Sequence, residues 1–310
     1  MQQPPDLISA ARRATSGLSA GDVLNMLASP VIILSAPRSG STLLFEQLAQ
    51  HDPFWTIGGE SHAVFRAFPH LKAENAELDS MTLTAAHADD ATSDAMRRCF
   101  LYLLRSQQGV PYLALPPAHR PPAFCFLEKT PRNALNIAFL LKVFPRARFL
   151  YLHRDPRQTV SSLIEAWTVG LQTGRFVTFR DLPGWPLPAW CFVLPRGWQN
   201  MAGKPLAEIA AFQWAASNLA IMEGLKGLDR SRFTTLAYDQ FIRDPKGALA
   251  SATEALGVQV HGTQAPAAGA LPLSRTTLSQ PHAEKWRRHE AEIMALMPML
   301  SSVMEQIEAF

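Results

Sequence analysis

The sequence predicts an α/β protein built on a parallel sheet with helices on both faces, and three observations carry that reading. Pro30 to Ser35 (PVIILS) is a continuous apolar run rich in β-branched residues, the pattern of a strand buried on both faces. It runs through APRSGST directly into Leu43, Leu44, Gln47 and Leu48 at helical spacing, which makes strand, tight turn and helix. Arg148 to His153 (RFLYLH) and Phe233 to Leu236 (FTTL) are further strand segments flanked by helical ones. Strands alternating with helices argue for a parallel sheet with crossover helices.

In chain order, residues 1 to 29 read as a lead-in with a short amphipathic helix, ahead of the first strand. The apolar stretch FCFL ends in Glu128-Lys129-Thr130-Pro131, which places Lys129 at a strand end. Asn133 to Phe144 reads as a helix. After RFLYLH, Asp155 is placed to cap a helix over Pro156 to Val169, with Pro156 at its first position. Further helices are expected over Leu206 to Lys226, Asp244 to Leu256 and Ala283 to Ile307. Between Gly170 and Pro205 the pattern breaks into Pro, Gly and aromatics, including Phe176, Phe179, Phe192, Trp185, Trp190 and Trp198. A loop that long with so many aromatics is read as an insertion, residues 170–205, capping a site, with the three tryptophans as substrate contacts. The alternative is a satellite core packed under a loop.

Composition narrows the class. Of 310 residues 47% are apolar and 18% charged, so the chain folds rather than staying disordered. A formal net charge of +3 excludes the strongly basic face of a sequence-independent nucleic-acid binder, but not a local anion site. Cys99, Cys125 and Cys191 form no CxxC pair, which argues against a disulfide framework or a thiolate zinc site. The N-terminus lacks the basic-then-apolar order of a signal peptide, and no apolar run approaches the ~20 residues needed to span a bilayer. The expectation is a cytoplasmic protein with no membrane segment and no metal.

The turn after the first strand carries the chemistry. A helix that starts there presents unpaired N–H groups and the positive end of its dipole, which bind phosphate. In Pro37-Arg38-Ser39-Gly40-Ser41-Thr42, Gly40 lets the backbone approach an anion, the hydroxyls add donors and Arg38 adds charge. A Walker A loop would follow its glycine with Lys, but Ser41 stands there, and no GxGxxG is present. Arg154 at a later strand end, and Ser162 eight residues on, are of the types that converge on a second phosphate.

APRSGSTLL at residues 36 to 44 resembles the 5′-phosphosulfate loop of sulfotransferases that use 3′-phosphoadenosine 5′-phosphosulfate (PAPS). The Arg154 to Ser162 segment resembles their 3′-phosphate motif, and Tyr238-Asp239 their Tyr-(Glu/Asp) segment, whose Tyr helps hold the adenine. The resemblance spans residues 30 to about 290 and implies a single domain over 1–310 with a P-loop-type sulfotransferase sheet. It further implies PAPS as donor, 3′,5′-adenosine bisphosphate (PAP) as product, and Lys129 as the cation at the sulfuryl group and bridging oxygen. Cytosolic small-molecule members carry a His two residues after that Lys, whereas Pro131 stands here, so the base comes from elsewhere. Ile57-Gly58-Gly59-Glu60-Ser61-His62 resembles the Gly-Glu-(Glu/Thr) stretch of tyrosylprotein sulfotransferases, which makes Glu60 the first candidate base and His62 the second. Near the C-terminus Arg275, Ser279 and Lys285 are candidates for further 3′-phosphate contacts, and the Arg-Lys-Gly triplet of vertebrate members is missing.

The function these readings favour is transfer of a sulfuryl group to the hydroxyl of a small molecule. A carrier-protein-bound hydroxyacyl chain and a peptide tyrosine are alternative acceptors. A P-loop kinase of small molecules and a non-catalytic PAP-binding scaffold are the readings from other classes. No nucleic-acid partner is expected, and oligomeric state is open.

Overall fold

The structure, a computed structural model, describes residues 6–72, 79–121, 123–260 and 271–310, so the start of the lead-in lies outside the described residues. Two helices, α1 (Leu7–Ala14) and α2 (Ala20–Met26), precede β1 (Val31–Leu34). Then come α3 (Ser41–Leu48), β2 (Phe54–Trp55), α4 (His62–Arg66), α5 (Asp90–Leu103) and β3 (Cys125–Lys129). The chain continues through α6 (Ile137–Val143), β4 (Arg148–His153), α7 (Pro156–Thr173), β5 (Val177–Arg180), β6 (Ala189–Cys191) and α8 (Leu206–Leu225). It closes with β7 (Phe233–Ala237), α9 (Tyr238–Arg243), α10 (Pro245–Ala255) and α11 (Glu290–Ala309).

Five strands form one sheet in the order β2-β3-β1-β4-β7, and every pairing in it is parallel. Successive side chains of a strand point to opposite faces, which explains why the strands read as unbroken apolar runs. Val31, Ile33, Leu150 and Leu152 pack on one face with Leu44 and Leu48 of α3 and Leu249 of α10. Ile32, Leu34, Phe149 and Tyr151 pack on the other with helices α5 to α8 and α11. Tyr151 is fully buried there, and its hydroxyl donates to Asn218 Oδ1 at 2.7 Å. Since β1 and β4 are neighbours while α3 and α7 leave them toward opposite faces, a crevice opens at the carboxyl ends of these two strands, where open α/β sheets bind ligands.

The capping expected at α7 is present, with Asp155 Oδ1 accepting from the backbone N–H of Arg157 at 2.8 Å. Four elements differ from expectation. The lead-in holds two helices rather than one. The 14-residue α5 carries no clear apolar period because Arg97 and Arg98 interrupt its buried face; Arg97 is itself buried and donates to Val143 O at 2.8 Å. The helix expected from Asn133 is divided: a 3₁₀ segment over Pro131–Leu135 ends at Asn136, whose non-helical backbone (φ −128°, ψ 24°) breaks the spiral before α6. The last helix is likewise preceded by a 3₁₀ segment, Ala283–His289.

The aromatic segment is a correction. β5 and β6 pair antiparallel as a separate two-stranded ribbon, and Trp185, Trp190 and Trp198 are buried beneath it with Trp167 of α7 in a satellite core. Their indole N–H groups are consumed internally, donating to Ala189 O, Val193 O and Asp79 O at 2.8 to 3.1 Å. The rings meet edge to face, the arrangement their quadrupoles favour, with Trp185 and Trp190 centroids 4.6 Å apart. The tryptophans hold the ribbon in place, and none of the three lines the cavity at the carboxyl ends of the strands. Replacing the fully buried Trp190 by Ala is expected to lower unfolding stability by about 3–5 kcal/mol in chemical denaturation; a loss below about 1 kcal/mol would contradict this structural role.

Candidate active site

The turn from β1 to α3 is shaped by two left-handed residues. Gly40 has φ +94°, and a Cβ built there would lie 2.3 Å from the Tyr238 ring, so conformation and close approach both require glycine. Arg38 adopts φ +67°, a conformation that costs a side-chain-bearing residue about 1–3 kcal/mol unless its surroundings hold it. They do so from two sides: Arg38 Nε donates to Ser162 Oγ on α7 at 3.2 Å, and Nη1 donates to Thr276 O at 2.9 Å. The guanidinium also lies over the Phe176 ring at 5.4 Å.

Arg154 arrives from the end of the adjacent strand β4. Its guanidinium stacks on Tyr238 at 4.2 Å and donates twice to Gln158 Oε1, at 2.8 and 3.1 Å. Burial lowers the pKa of both guanidiniums. Arg38 comes down to about 10, with Arg175 and Arg154 adding repulsion and Glu165 offsetting part of it. Next to Ser162 on α7, Ser161 has a buried hydroxyl with no hydrogen-bond partner. This is a crevice of half-buried positive charge with free donors.

A third cation comes from β3. Lys129 is only 1% exposed, and its ammonium donates to Thr42 Oγ1 at 3.0 Å and to Glu60 Oε1 at 2.5 Å. His62 Nε2 lies 2.9 Å from the other oxygen, Glu60 Oε2. Burial alone would raise the Glu60 carboxyl, but the hydrogen bonds from His62 and Lys129 and the charge of Lys129 bring it down to about 2. The two groups expected to face one another across a reacting atom thus meet directly as an ion pair.

One cavity of about 720 Å³ joins these features. Pro37, Arg38, Gly40, Ser41, Thr42, Glu60, His62, Arg154, Ser162, Tyr238 and Lys285 all line it. Ser39 and Lys129 are buried behind that lining. Arg275 is not part of the wall: its Nη1 donates to Gly58 O at 3.0 Å and its Nε pairs with Glu46 at 3.4 Å. Lys285 pairs with Glu165 at 2.7 Å, and Ser279 donates to the same carboxylate at 2.6 Å. Burial alone would raise Glu165, yet these two hydrogen bonds hold it below the ordinary carboxylate range.

Residues that sequence reasoning missed also line the cavity. Gln158 and Ser161 lie one turn apart on the α7 face that carries Ser162, and helical spacing back from Ser162 would have pointed to Gln158. From the aromatic ribbon it is Phe176, Phe179 and Phe192, not the tryptophans, that reach the wall, beside Phe65, Leu71 and Met81. Phe176 and Phe192 stack at 5.1 Å, and both hold left-handed backbone, φ +68° and +63°, a conformation no sequence period signals. Among the described residues no group of three or more His, Cys, Asp or Glu side chains is placed to hold a metal ion.

Comparison with known proteins gives the family. The model of the sulfotransferase family matches residues 30–262. Protein-tyrosine sulfotransferase 1 of Danio rerio is 28% identical over 158 residues, which is 51% of this chain and 41% of that protein. Its Homo sapiens counterpart is 28% identical over 136 residues, 43% of this chain and 33% of that protein. The chain thus spans less than half the length of these curated relatives. Among solved structures, a sulfotransferase domain from the curacin biosynthetic pathway aligns with TM-score 0.46 and 19% identity, covering 86% of this chain and 98% of that one. A sulfotransferase from Mycobacterium avium aligns with TM-score 0.48 and 18% identity, covering 82% and 70%.

The ion pair has a pH signature. A carboxyl held at about 2 against an ordinary 4.5 contributes stability that is complete above about pH 4.5 and is lost as pH falls toward 2. The wild-type chain should therefore lose stability more steeply over that interval than Glu60→Gln, followed by circular dichroism. Superimposable acid-unfolding curves would contradict the pairing.

Proposed function

The chain belongs to the sulfotransferase family, and on that premise we propose that it moves a sulfuryl group from PAPS to the hydroxyl of a small, largely apolar acceptor. The observation that carries the reading is the convergence of Arg38 and Arg154, one from each of two adjacent strands, with a helix N-terminus and the Tyr238 ring in a single cavity. These residues fit the donor: two half-buried guanidiniums suit two phosphate sites, the Ser161 hydroxyl has no internal partner, and a glycine cradle lies against an aromatic ring. When bound, PAPS supplies the activated sulfuryl group and is left as PAP.

The residues divide the work. The N-terminus of α3, with Arg38 and the Ser39 to Thr42 segment, holds the 5′-phosphosulfate. Arg154, Ser162 and Ser161 hold the 3′-phosphate, and Tyr238 holds the adenine. Lys285, tied to Glu165, stands at the same wall as a further cation. Lys129 opposes negative charge developing on the bridging oxygen. Glu60 takes the acceptor's proton. As long as Lys129 stays on Glu60 the carboxylate is a weak base. Drawing the ammonium toward the leaving oxygen removes part of what depresses it, so the cation and the base are engaged together. His62, on the other oxygen and partly exposed, is the second candidate base and offers the proton a way toward solvent.

The phenylalanines, Leu71 and Met81 of the wall support an apolar or aromatic acceptor. A peptide tyrosine is a second reading, supported by the names of the tyrosine-sulfating relatives and by Glu60. A small-molecule kinase is disfavoured because Ser41 stands where a Walker A loop has its Lys. Three free, buried cysteines suit a reducing, cytoplasmic setting.

Incubation with PAPS and a mixed set of phenols, apolar alcohols and tyrosine peptides, read by mass spectrometry, tests the proposal. Sulfated phenols or alcohols are expected, sulfated peptide alone would move the assignment to the second reading, and no product from any acceptor would contradict both. Glu60→Gln should hold PAP affinity within about threefold while turnover falls at least about a hundredfold. An active variant would pass the base role to His62.

A further inference from the structure

Directly behind the site lies a polar island that touches no part of the cavity. Glu128 precedes Lys129 on β3 and points to the opposite face of the strand. It is 2% exposed, and its partners Ser61, Thr130 and Asn133 are fully buried. Glu128 Oε1 accepts from Ser61 Oγ at 2.7 Å and from Thr130 Oγ1 at 2.6 Å, and Oε2 accepts from Asn133 Nδ2. Thr130 Oγ1 in turn accepts the backbone N–H of Ser61 at 2.8 Å. None of the four residues lines the cavity.

Taking a carboxyl group out of water is costly, and burial pushes the Glu128 carboxyl up from the ordinary range despite the hydrogen bonds from Thr130 and Ser61; well-packed apolar residues in place of such a group are often neutral or stabilising. Stability therefore does not account for this group, but its position does. Ser61 stands between Glu60 and His62 at the residue preceding α4, its hydroxyl is turned away from that helix to Glu128, and through Thr130 and Glu128 it is fastened to the strand that carries Lys129. The segment before it, Gly58-Gly59, has no side chains to fix its path, and Gly58 is left-handed at φ +79°. Base and cation are thus referred to one rigid element.

Resting on the sulfotransferase reading above, we propose that Glu128 is a positioning residue that sets Glu60 against Lys129 by anchoring Ser61 and Thr130. Its action is through hydrogen bonds, so a neutral residue of the same shape suffices. Gln at this position would accept both hydroxyls on its oxygen and, with the Asn133 amide turned over, donate its own amide to Asn133 Oδ1, which is buried and without a partner in its present orientation. Leu has the volume but none of the bonds.

The test compares Glu128→Gln with Glu128→Leu. Three readouts are taken: kcat with acceptor KM, PAP affinity by calorimetry, and acid unfolding between pH 4.5 and 2, where the Glu60–Lys129 pair registers whether or not the chain turns over. Glu128→Gln should match wild type within about threefold in kcat and in its acid curve. Glu128→Leu should lose about a hundredfold in kcat, with KM and PAP affinity within threefold, and its acid curve should flatten to that of Glu60→Gln. Should the leucine variant not fold, Ser61→Ala cuts the same anchor and should move kcat and the acid curve in the same direction. Wild-type kcat and acid curve in Glu128→Leu or Ser61→Ala would overturn the proposal, as would equal loss of PAP binding in the Gln and Leu variants. A wild-type chain that transfers no sulfuryl group would fail the functional reading, while the contrast in acid curves would still decide the anchoring.

Discussion

Everything about the site follows from bringing like charges together out of water. Arg38, Arg154 and Lys129 reach the carboxyl ends of three neighbouring parallel strands, the two arginines half-buried and Lys129 wholly buried. Cations in such a place need compensation. The protein supplies part of it by stacking Arg154 on Tyr238, by giving Arg38 a hydroxyl and a carbonyl, and by pairing Lys129 with Glu60. Burial, with repulsion from Arg175 and Arg154, still holds Arg38 down at about 10, so the compensation is incomplete. On the proposed reading a ligand with two separate phosphate groups would supply the rest, and α3 and α7, diverging from adjacent strands, give the crevice room for both.

The same economy of charge sets the catalytic pair. Glu60 is held between Lys129 and His62, and its low pKa makes it a poor proton acceptor in that arrangement. In the proposed reaction, a base that is quiet while its cation partner is on it, and gains basicity as that partner engages elsewhere, links the two demands of sulfuryl transfer. Such a pair has to be placed within a fraction of an ångström. That requirement gives meaning to a buried carboxylate one residue away from Lys129 which touches neither donor nor acceptor.

The parts of the molecule that were legible from sequence are those where local chemistry and tertiary structure agree. PVIILS is a strand because both its faces are buried, Asp155-Pro156 starts a helix because cap and first-turn geometry coincide, and APRSGST makes a tight strand-to-helix turn whose close approach to Tyr238 requires Gly40. Glu60, Lys129 and Arg154 were found by their motifs, and the structure gathers them. The failures have physical causes. Trp185, Trp190 and Trp198 looked like a substrate cap because aromatic content does not tell which rings pack inward; the indole hydrogen bonds and edge contacts do. Arg275 looked like a phosphate ligand from its charge, but its reach is taken by Gly58 and Glu46. Phe176 and Phe192 depend on left-handed backbone, and Ser161 on the rotation of α7, neither of which leaves a trace in residue order.

Calorimetric titration of PAP against adenosine 5′-monophosphate tests most directly whether this crevice recognises a nucleotide with two separate phosphate groups. The 3′-phosphate should improve affinity by about tenfold to a hundredfold, the value of one or two charge-assisted hydrogen bonds, and Arg154→Ala should erase most of that difference while leaving the monophosphate affinity nearly unchanged. Equal binding of the two nucleotides to the wild-type chain, or a difference that survives Arg154→Ala, would contradict the account.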